Sequence, residues 1–230
     1  MPLCPEALEG TGQLLDEWQS KQALREFGLR IPEGLLSTPE QALSAAAAVG
    51  YPLVLKAVSV ELPHKTEAGA VALNLKDPEA LGAALRQMRA RIAEHAPGVV
   101  FDQVLLEPMA APPLAELIVG IKREEHFGLA LVIGAGGVLV ELLKDSRSLL
   151  LPTHPAAIRQ AVLQLRSAAL LQGFRGRPAA DLDALVAAIG AVADYACEHA
   201  ATLLELDVNP LLVGARGTVA VDALIRLGRV

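Results

Sequence analysis

Two kinds of apolar spacing alternate along the chain. In the first kind, apolar residues recur three or four positions apart, as on the buried face of an amphipathic helix. This spacing predicts helices over residues 16–27, 39–49, 78–95, 154–172 and 181–198. The second kind consists of short apolar or alternating runs, which are typical of strands. These runs predict strands over residues 51–58, 69–77, 99–109, 115–123, 127–137, 138–145, 203–213 and 218–225.

Strand pairs occur in both halves of the chain and are separated by helices. This arrangement predicts an α+β fold (α/β in the broad sense) rather than one repeated strand–helix–strand array. The stretch EPMAAPPLAE, residues 107–116, is rich in Pro and Ala and is typical of a boundary. We therefore expect an N-terminal lobe over residues 1–106 and a C-terminal lobe over residues 107–230.

Composition narrows the classes of protein. Of the 230 residues, 53% are hydrophobic and 3% aromatic, and the net charge is −6. No uncharged apolar run reaches the roughly 18 residues of a membrane helix, and no basic cluster favours nucleic acid. The first residues lack the features of a secretion signal, and Cys4 and Cys197 lack metal-ligand spacing. We expect a cytoplasmic protein that binds neither membranes nor nucleic acids.

The first candidate for chemistry is a lysine on a predicted strand, followed by a polar loop. Lys56 belongs to YPLVLKAV, and the next segment, VELPHKTEAGA, carries His64, Lys65 and Thr66. Ammonium groups near a loop of small residues suit a polyphosphate. The glycine-lysine pattern of P-loop proteins is absent. On spacing alone, a solvated lysine and an ordinary surface loop are the commoner explanation.

Two acids, Glu107 and Glu116, lie at predicted strand ends on either side of the Pro-rich boundary. A carboxylate in such a place could accept hydrogen bonds from a ribose, although two solvated acids are the commoner explanation. The glycine run GAGG, residues 134–137, lacks the spacing of a dinucleotide-binding loop and predicts a tight turn between strands.

The third candidate is a set of oxygen-bearing side chains near the C-terminus. Asp207 and Asn209 share one face of a predicted strand, and Asp222 lies on its partner strand across the GARG turn. Burying such groups is unfavourable without a cation or hydrogen bonds. Magnesium is bound by few carboxylate or amide oxygens, with phosphates completing its octahedron. A metal site and a polar cluster that caps the hairpin are equally good explanations of the spacing.

Taken in order, these segments resemble the ATP-grasp domain of NDP-forming acyl-CoA synthetases. This family includes the ADP-forming acetate–CoA ligase beta subunit and is related to the succinyl-CoA synthetase beta subunit. The resemblance runs through GYPLVLKAVS, HKTEAGAVALNLKD, LLEPM, ELIVGIKR, FGLALVIGAGGVLVELLKD, LLQGFRGRPAADLDAL and ELDVNPLLV with VAVDA. It implies a two-lobed ATP-grasp fold with the nucleotide, ATP or ADP, bound between the lobes.

The resemblance also implies roles for residues of the N-terminal half. Lys56 looks like the lysine on the nucleotide phosphates, and His64, Lys65 and Thr66 occupy the loop that closes over them. A histidine at the place of His64 is associated in the family with passing a phosphoryl group between two sites. Glu107 falls at the hinge beside the adenine.

Further roles fall in the C-terminal half. Glu116 looks like the carboxylate that binds the ribose. Asn209 and Asp222 match the Mg²⁺ ligands, and Asp207 is an additional or neighbouring ligand. The implied reaction is reversible and converts acyl-CoA, ADP and phosphate into acid, CoA and ATP through an acyl phosphate and a phosphohistidine. The CoA-binding domain and the phosphohistidine would belong to an alpha subunit or neighbouring domain, so we expect a hetero-oligomer.

The chain departs from the family pattern at three positions. Pro63 precedes the histidine, Ala70 replaces a glycine, and Leu149 stands where the family often has an arginine, with Arg147 two residues earlier. These departures keep a second hypothesis open, a catalytically degenerate module that senses nucleotide or holds a partner. A third, weaker hypothesis is a carboxylate–amine ligase, because other ATP-grasp enzymes form amides through acyl phosphates.

Overall fold

The structure is a computed structural model that describes residues 12–62, 65, 69–124, 126–137 and 145–228. The chain divides into two compact units. The smaller unit comprises Asp16–Trp18 and Pro32–Ala111, and the larger unit comprises Met1–Leu15, Gln19–Ile31 and Pro112–Val230. The predicted lobe boundary at residues 106 and 107 stays a prediction, and these units differ from it chiefly because Gln19–Ile31 belongs to the larger unit.

The smaller unit is built on a four-stranded antiparallel sheet with the strand order β2-β5-β3-β4. Its strands are β2 (Leu35–Ser37), β3 (Leu53–Ala57), β4 (Val71–Leu75) and β5 (Val104–Pro108). Two helices accompany the sheet, α2 (Ala42–Val49) and α3 (Pro78–His95). The central strands β3 and β5 are almost wholly buried. Any charged side chain on these two strands is therefore desolvated.

Helix α3 confirms its prediction closely. The Asp77 carboxylate accepts a hydrogen bond from the Ala80 N–H at 2.8 Å, and Pro78 begins the helix. Leu81, Met88 and Ile92 point into the core of the smaller unit. Each such burial stabilises the fold by about 1.5–3 kcal/mol.

Helix α2 begins later than predicted. Pro39 and Glu40 form a turn, and the helix starts at Ala42 rather than at the proline. The Thr38 hydroxyl stabilises this turn by accepting a hydrogen bond from the N–H of Gln41, the N-cap residue, at 3.3 Å. Gly50 ends the helix at a φ of 83°, as expected of a glycine C-cap.

The larger unit is built on a seven-stranded sheet with the order β1-β11-β9-β6-β7-β8, in which β10 also pairs with β9. Its strands are β1 (Gln13–Leu15), β6 (Ala115–Glu124), β7 (Gly128–Ala135), β8 (Ser146–Leu150), β9 (Leu203–Gly214), β10 (Gly217–Ala220) and β11 (Ala223–Leu227). Its described helices are α4 (Pro155–Leu163), α5 (Ala168–Leu171) and α6 (Leu182–Glu198). Helix α1 (Glu17–Glu26) contributes its residues from Gln19 onward to this unit.

One face of the seven-stranded sheet is covered by helices. Leu185, Ile189 and Val192 of α6 are fully buried in the same core as Val119 of β6 and Val208 of β9. Side chains alternate between the two faces of a strand. The neighbours of these core residues, including Glu116 and Asp207, therefore lie on the opposite face, which is where the predicted polar residues are found.

The predicted helix over 154–172 is wrong in one respect, because it breaks into α4 and α5. The Asp145 carboxylate holds the break, accepting hydrogen bonds at 2.8 Å from the backbone N–H groups of Arg166 and Ser167 and from the Ser167 hydroxyl. Burial acts to raise the pKa of Asp145, but these hydrogen bonds outweigh it and lower the pKa. A carboxylate distant in sequence therefore decides where this helix ends.

Two predicted strands also differ from the structure. The predicted strand over 218–225 is divided into β10 and β11, which both pair with β9. Of the predicted strand over 138–145, residues 138–144 lie outside the described residues, and β8 begins directly afterwards at Ser146. Among the described residues, no helix is long and apolar enough to cross a membrane.

Candidate functional site

Lys56 lies on the buried strand β3 of the smaller unit, between two carboxylates. Its Nζ is 2.6 Å from Glu17 Oε1 and 3.1 Å from Glu107 Oε2. The side chains of Lys56, Glu17 and Glu107 are 7%, 0% and 2% exposed. The explanation of Lys56 as a solvated surface lysine is therefore wrong, because β3 pairs on both sides and carries the ammonium into the unit.

Lys65 joins the same group of charges. Its Nζ lies 2.5 Å from Glu17 Oε2, and its side chain is 10% exposed. Glu17 thus bridges two lysines, one with each oxygen. We call Glu17, Lys56, Lys65 and Glu107 the lysine–glutamate cluster. Its formal charges, two positive and two negative, sum to zero.

Two residues predicted to join this site, His64 and Thr66, lie outside the described residues, as does Pro63. Their roles stay predictions. The structure does explain one departure of this loop from the family pattern. Ala70 is fully buried in the core of the smaller unit, where its methyl group contributes to the apolar packing. The Ala70 N–H also donates to the Lys65 carbonyl at 2.7 Å, which fixes the end of the loop.

Glu107 has a contact that the sequence did not predict, its ion pair with Lys56. The backbone at Gly34 also packs closely against Glu107. A Cβ atom at Gly34 would lie 2.7 Å from the Glu107 Cγ and 2.8 Å from the Leu106 carbonyl oxygen. Only glycine allows the backbone to pass here without displacing Glu107. The predicted hinge position of Glu107 beside an adenine stays a prediction.

Glu116 begins strand β6 in the larger unit and contacts the glycine run of residues 134–137. The Gly136 N–H donates to the Glu116 carbonyl at 2.6 Å. A Cβ atom at Gly136 would lie 2.8 Å from the Glu116 carbonyl carbon, and one at Gly137 would lie 3.7 Å from Oε2. Gly134 and Ala135 belong to strand β7 rather than to the predicted turn, and residues 138–144 lie outside the described residues. Gly136 and Gly137 let the backbone pack against the acid that is predicted to bind ribose.

This packing gives a prediction with a matched control inside the same run. We expect Gly136→Ala to displace the Glu116 backbone, lowering the free energy of unfolding by about 1–3 kcal/mol. Gly134→Ala should be much milder, because its Cβ would meet its neighbours at 3.5 Å, an ordinary contact distance. Chemical denaturation of both variants measures the difference, and equal stabilities would contradict the packing argument.

Asp207, Asn209 and Asp222 come together where β9 meets β11. The Asn209 N–H donates to the Asp222 carbonyl at 3.2 Å, and the Asn209 side chain hydrogen-bonds to the Asp207 carboxylate. Asp207 faces Gly120, which has no side chain, across the β6–β9 pair. The structure brings the three residues together, with Asp222 in the break between β10 and β11 rather than on a strand as predicted. Their proposed role as metal ligands is a separate question.

The electrostatics of this cluster favour a cation. Burial is the largest cause that raises the pKa of Asp207, from its usual 3.8 to about 6. The Asn209 hydrogen bond opposes the shift, and the negative charges of Glu205 and Asp222 add to it. A divalent cation at these oxygens would offset both the cost of burying the Asp207 charge and the smaller repulsion from Glu205 and Asp222. The residues present therefore fit Mg²⁺.

The donor set is nevertheless small. In the part of the chain that the structure describes, no group of three or more His, Cys, Asp and Glu side chains could hold a metal ion. Two carboxylates and an amide suit Mg²⁺, which keeps waters and binds substrate phosphates as its other ligands. This set therefore suits a metal that arrives with a nucleotide better than a permanently bound one.

Arg147 does not take the place of the arginine that the family often has at the position of Leu149. Leu149 packs against the core of the larger unit. The guanidinium of Arg147 donates to the carbonyls of Ser146 at 2.7 Å and Gln164 at 2.6 Å. Arg147 therefore stabilises the β8–α4 region through backbone contacts, and this is the main observation that favours a departure from the family's chemistry.

Sequence reasoning missed two charged residues of helix α1, Glu17 and Lys21. The spacing of residues along α1 nevertheless indicates that both lie on its buried face. Glu17, Ser20, Lys21 and Leu24 follow the i, i+3, i+4, i+7 pattern of a buried helix face, and all four are buried. Charged residues rarely occupy such a face unless they are paired. The Lys21 ammonium lies 3.5 Å from the Val221 carbonyl, directly before Asp222.

Comparison with known proteins places the chain in a family. The ATP-grasp domain family matches residues 6–227. The acetate–CoA ligase (ADP-forming) II subunit beta of Pyrococcus furiosus is 33% identical over 214 residues, which are 92% of this chain and 90% of that protein. A trans-feruloyl-CoA synthase from an unknown prokaryotic organism is 32% identical over 231 residues. This chain spans about a third of that second relative, 32% of its length.

Solved structures agree with this family. Acetyl-coenzyme A synthetase 1 of Ca. Korarchaeum cryptofilum, in complex with coenzyme A and Ca-AMPCP, has a TM-score of 0.89 at 29% identity, covering 94% of this chain and 93% of that one. Another complex of that enzyme contains Mg-AMPPCP, with its phosphohistidine segment pointing towards the nucleotide-binding site, and has a TM-score of 0.78 at 29% identity, covering 92% and 91%.

The fold and family expected from the sequence are therefore confirmed. The two antiparallel sheets with their helices form an ATP-grasp fold. Several relatives are ADP-forming acetate–CoA ligases or their beta subunits, as the sequence resemblance implied. The chain belongs to the ATP-grasp family that includes the beta subunits of ADP-forming acetate–CoA ligases.

Proposed function

We propose that this chain is the nucleotide-binding part of an ADP-forming acid–CoA ligase. The reaction converts acyl-CoA, ADP and phosphate reversibly into acid, CoA and ATP, through an acyl phosphate and a phosphohistidine. The observation that carries most weight is the pair of buried lysines, Lys56 and Lys65, gathered on one carboxylate. Desolvated, positioned cations are what phosphoryl transfer requires of a protein.

In this proposal each unit contributes a different function. In the smaller unit, Lys56 and Lys65 bind phosphate oxygens, and His64, which shares its loop with Thr66, accepts and returns the phosphoryl group. Glu107 borders the adenine. In the larger unit, Glu116 accepts hydrogen bonds from the ribose hydroxyls.

The proposed Mg²⁺ ligands are Asn209 and Asp222, with Asp207 as an additional or neighbouring ligand. When bound, Mg²⁺ supplies charge neutralisation of the phosphate oxygens. The Asn209 amide holds the Asp207 carboxylate, and the β9–β11 pairing holds Asn209 against Asp222. These contacts orient the donors before a nucleotide arrives, which reduces the entropy lost on binding.

The acid and CoA chemistry belongs to a partner in this proposal. The P. furiosus relative is a subunit of almost this length, so we infer an alpha subunit or adjoining domain that binds CoA, carries the phosphohistidine and forms a hetero-oligomer with this chain in the cytoplasm. The test is reconstitution with the genomically neighbouring CoA-binding subunit. ATP formation from acyl-CoA, ADP and labelled phosphate supports the proposal, and accumulation of an amide would support an amine ligase.

A variant of the metal site gives a further prediction. We expect Asp222→Ala to remove most of the Mg²⁺ dependence of ADP binding, because one of two carboxylates is lost from a minimal donor set. Calorimetric titrations of ADP at several Mg²⁺ concentrations measure this dependence, with the exposed Asp194→Ala as control. An unchanged Mg²⁺ dependence in Asp222→Ala would count against a metal at this position.

A second candidate function follows from Leu149. Because Leu149 packs into the core and Arg147 is held by two backbone carbonyls, a degenerate module that binds nucleotide without turnover is the alternative. Transfer of labelled phosphate from ATP to His64 or to the partner separates the two functions. Tight nucleotide binding without any transfer would favour the module.

A further inference from the structure

Glu17 lies at the centre of the lysine–glutamate cluster and has no role in the proposed chemistry. Its two carboxylate oxygens contact different lysines, Oε1 at 2.6 Å from Lys56 and Oε2 at 2.5 Å from Lys65. Its side chain is 0% exposed. These are the contacts that two oxygens of one phosphate make when they bridge two ammonium groups.

The charge balance of the cluster makes this contact important. Lys56 and Lys65 contribute two positive charges, and Glu17 and Glu107 contribute two negative charges. A neutral cluster attracts a polyphosphate weakly, because the lysine N–H donors already have anionic acceptors. Phosphate oxygens must therefore compete for these donors. Among the described residues, Glu17 is the main competitor because it contacts both lysines.

The elements that carry the cluster make Glu17 a rigid part of it. Glu17 is the first residue of α1, where the positive end of the helix dipole favours an acid. Lys56 is paired within its sheet to Leu105 on one side and Val71 on the other. Lys65, by contrast, lies in a turn outside any helix or strand. The carboxylate is thus a fixed point to which the lysine of the loop is held.

We propose that Glu17 is a positioning residue that acts as the internal counter-anion of the phosphate-binding lysines. It holds Lys56 and Lys65 at one point and competes with the nucleotide phosphates for them. This inference rests on the proposed function. Removing its charge strengthens nucleotide binding, because the competing anion is gone. The same change slows phosphoryl transfer, because the lysines lose their common anchor.

The test compares Glu17→Gln with a charge-matched control in the 230-residue chain. Calorimetry should give a dissociation constant for ADP about tenfold lower in Glu17→Gln, the size expected when one nearby opposing charge is removed. Glu40→Gln removes the same charge from an exposed pair with Arg89 and should bind ADP as the wild type does. With the partner subunit present, kcat and KM for ADP should both fall in Glu17→Gln.

A double variant shows whether the tighter ADP binding depends on the contact between Glu17 and Lys65. In Glu17→Gln combined with Lys65→Met, the released lysine is absent, and the tighter binding should disappear. If Glu17→Gln fails to fold, Glu17→Asp keeps the charge but shortens the side chain, and it should tighten ADP binding by a smaller factor.

The possible outcomes separate this inference from the proposed function. A wild-type chain that does not bind ADP would overturn both. A wild-type chain that binds ADP, together with a folded Glu17→Gln or Glu17→Asp variant that binds it equally or more weakly, would overturn only the role of Glu17. A purely structural role would raise KM, which is the opposite of the predicted fall in KM.

Discussion

Replacing Lys56 by methionine is expected to lower the free energy of unfolding by about 3–5 kcal/mol, the usual loss when one partner of a buried ion pair is removed. The methionine fills a similar volume, so the loss comes from charge. Glu17 and Glu107 would remain 0% and 2% exposed with their shared cation gone. Chemical denaturation at neutral pH measures the effect.

The same variant is expected to lose nucleotide binding, because the proposed phosphate ligand is gone. Lys76→Met is the matched control, since Lys76 is an exposed lysine of the same unit. Adding Glu17→Gln to Lys56→Met should recover part of the stability, because one of the two uncompensated carboxylates is neutralised. Equal stability of Lys56→Met and the control would refute the buried cluster.

Replacing Asp207 by asparagine is expected to stabilise the protein in the absence of Mg²⁺. The pKa of Asp207 is raised from 3.8 to about 6 in the folded state. The folded protein therefore binds the proton more tightly than the unfolded chain, and stability falls as the pH rises from about 4 to about 6. Each pKa unit corresponds to 1.36 kcal/mol. After allowance for partial exposure, Asp207→Asn should raise the free energy of unfolding by about 1–3 kcal/mol at pH 7.5.

This gain should become small near pH 4, where Asp207 is protonated in the folded state and partly protonated in the unfolded chain. In the presence of Mg²⁺ and ADP, the wild type should be more stable than Asp207→Asn, because the asparagine lacks the charge that the cation needs. Thermal denaturation at both pH values, with Asp194→Asn as an exposed control, measures these differences. A variant that is less stable than the wild type at pH 7.5 would contradict the electrostatic account of this cluster.

Local patterns were sufficient to predict much of the fold. Helix α3 could be predicted because its cap, Asp77, and its buried stripe, from Leu81 to Ile92, lie within a few turns of one another. The β9–β10 hairpin could be predicted because its strands are joined by a short turn. The break between α4 and α5 could not, because Asp145 stabilises it from about 20 residues away.

The candidate site shows the same limit. Lys56 could be singled out from its place on an apolar strand, but its ion pair with Glu17 joins residues 39 positions apart. Glu116 could be placed at a strand end, but nothing local indicates that Gly136 packs against its backbone. Asp207 and Asn209 could be paired because they are two residues apart on one strand. Contacts that depend on tertiary folding are the ones that sequence reasoning missed.

The central claim is that this chain binds ADP or ATP in a Mg²⁺-dependent manner through its buried lysines. Isothermal titration calorimetry of the wild-type chain with ADP, with and without millimolar Mg²⁺, tests the claim most directly. We predict saturable binding that strengthens with Mg²⁺ and is lost in Lys56→Met. The absence of any binding by the folded wild-type chain at millimolar ADP and Mg²⁺ would contradict the claim.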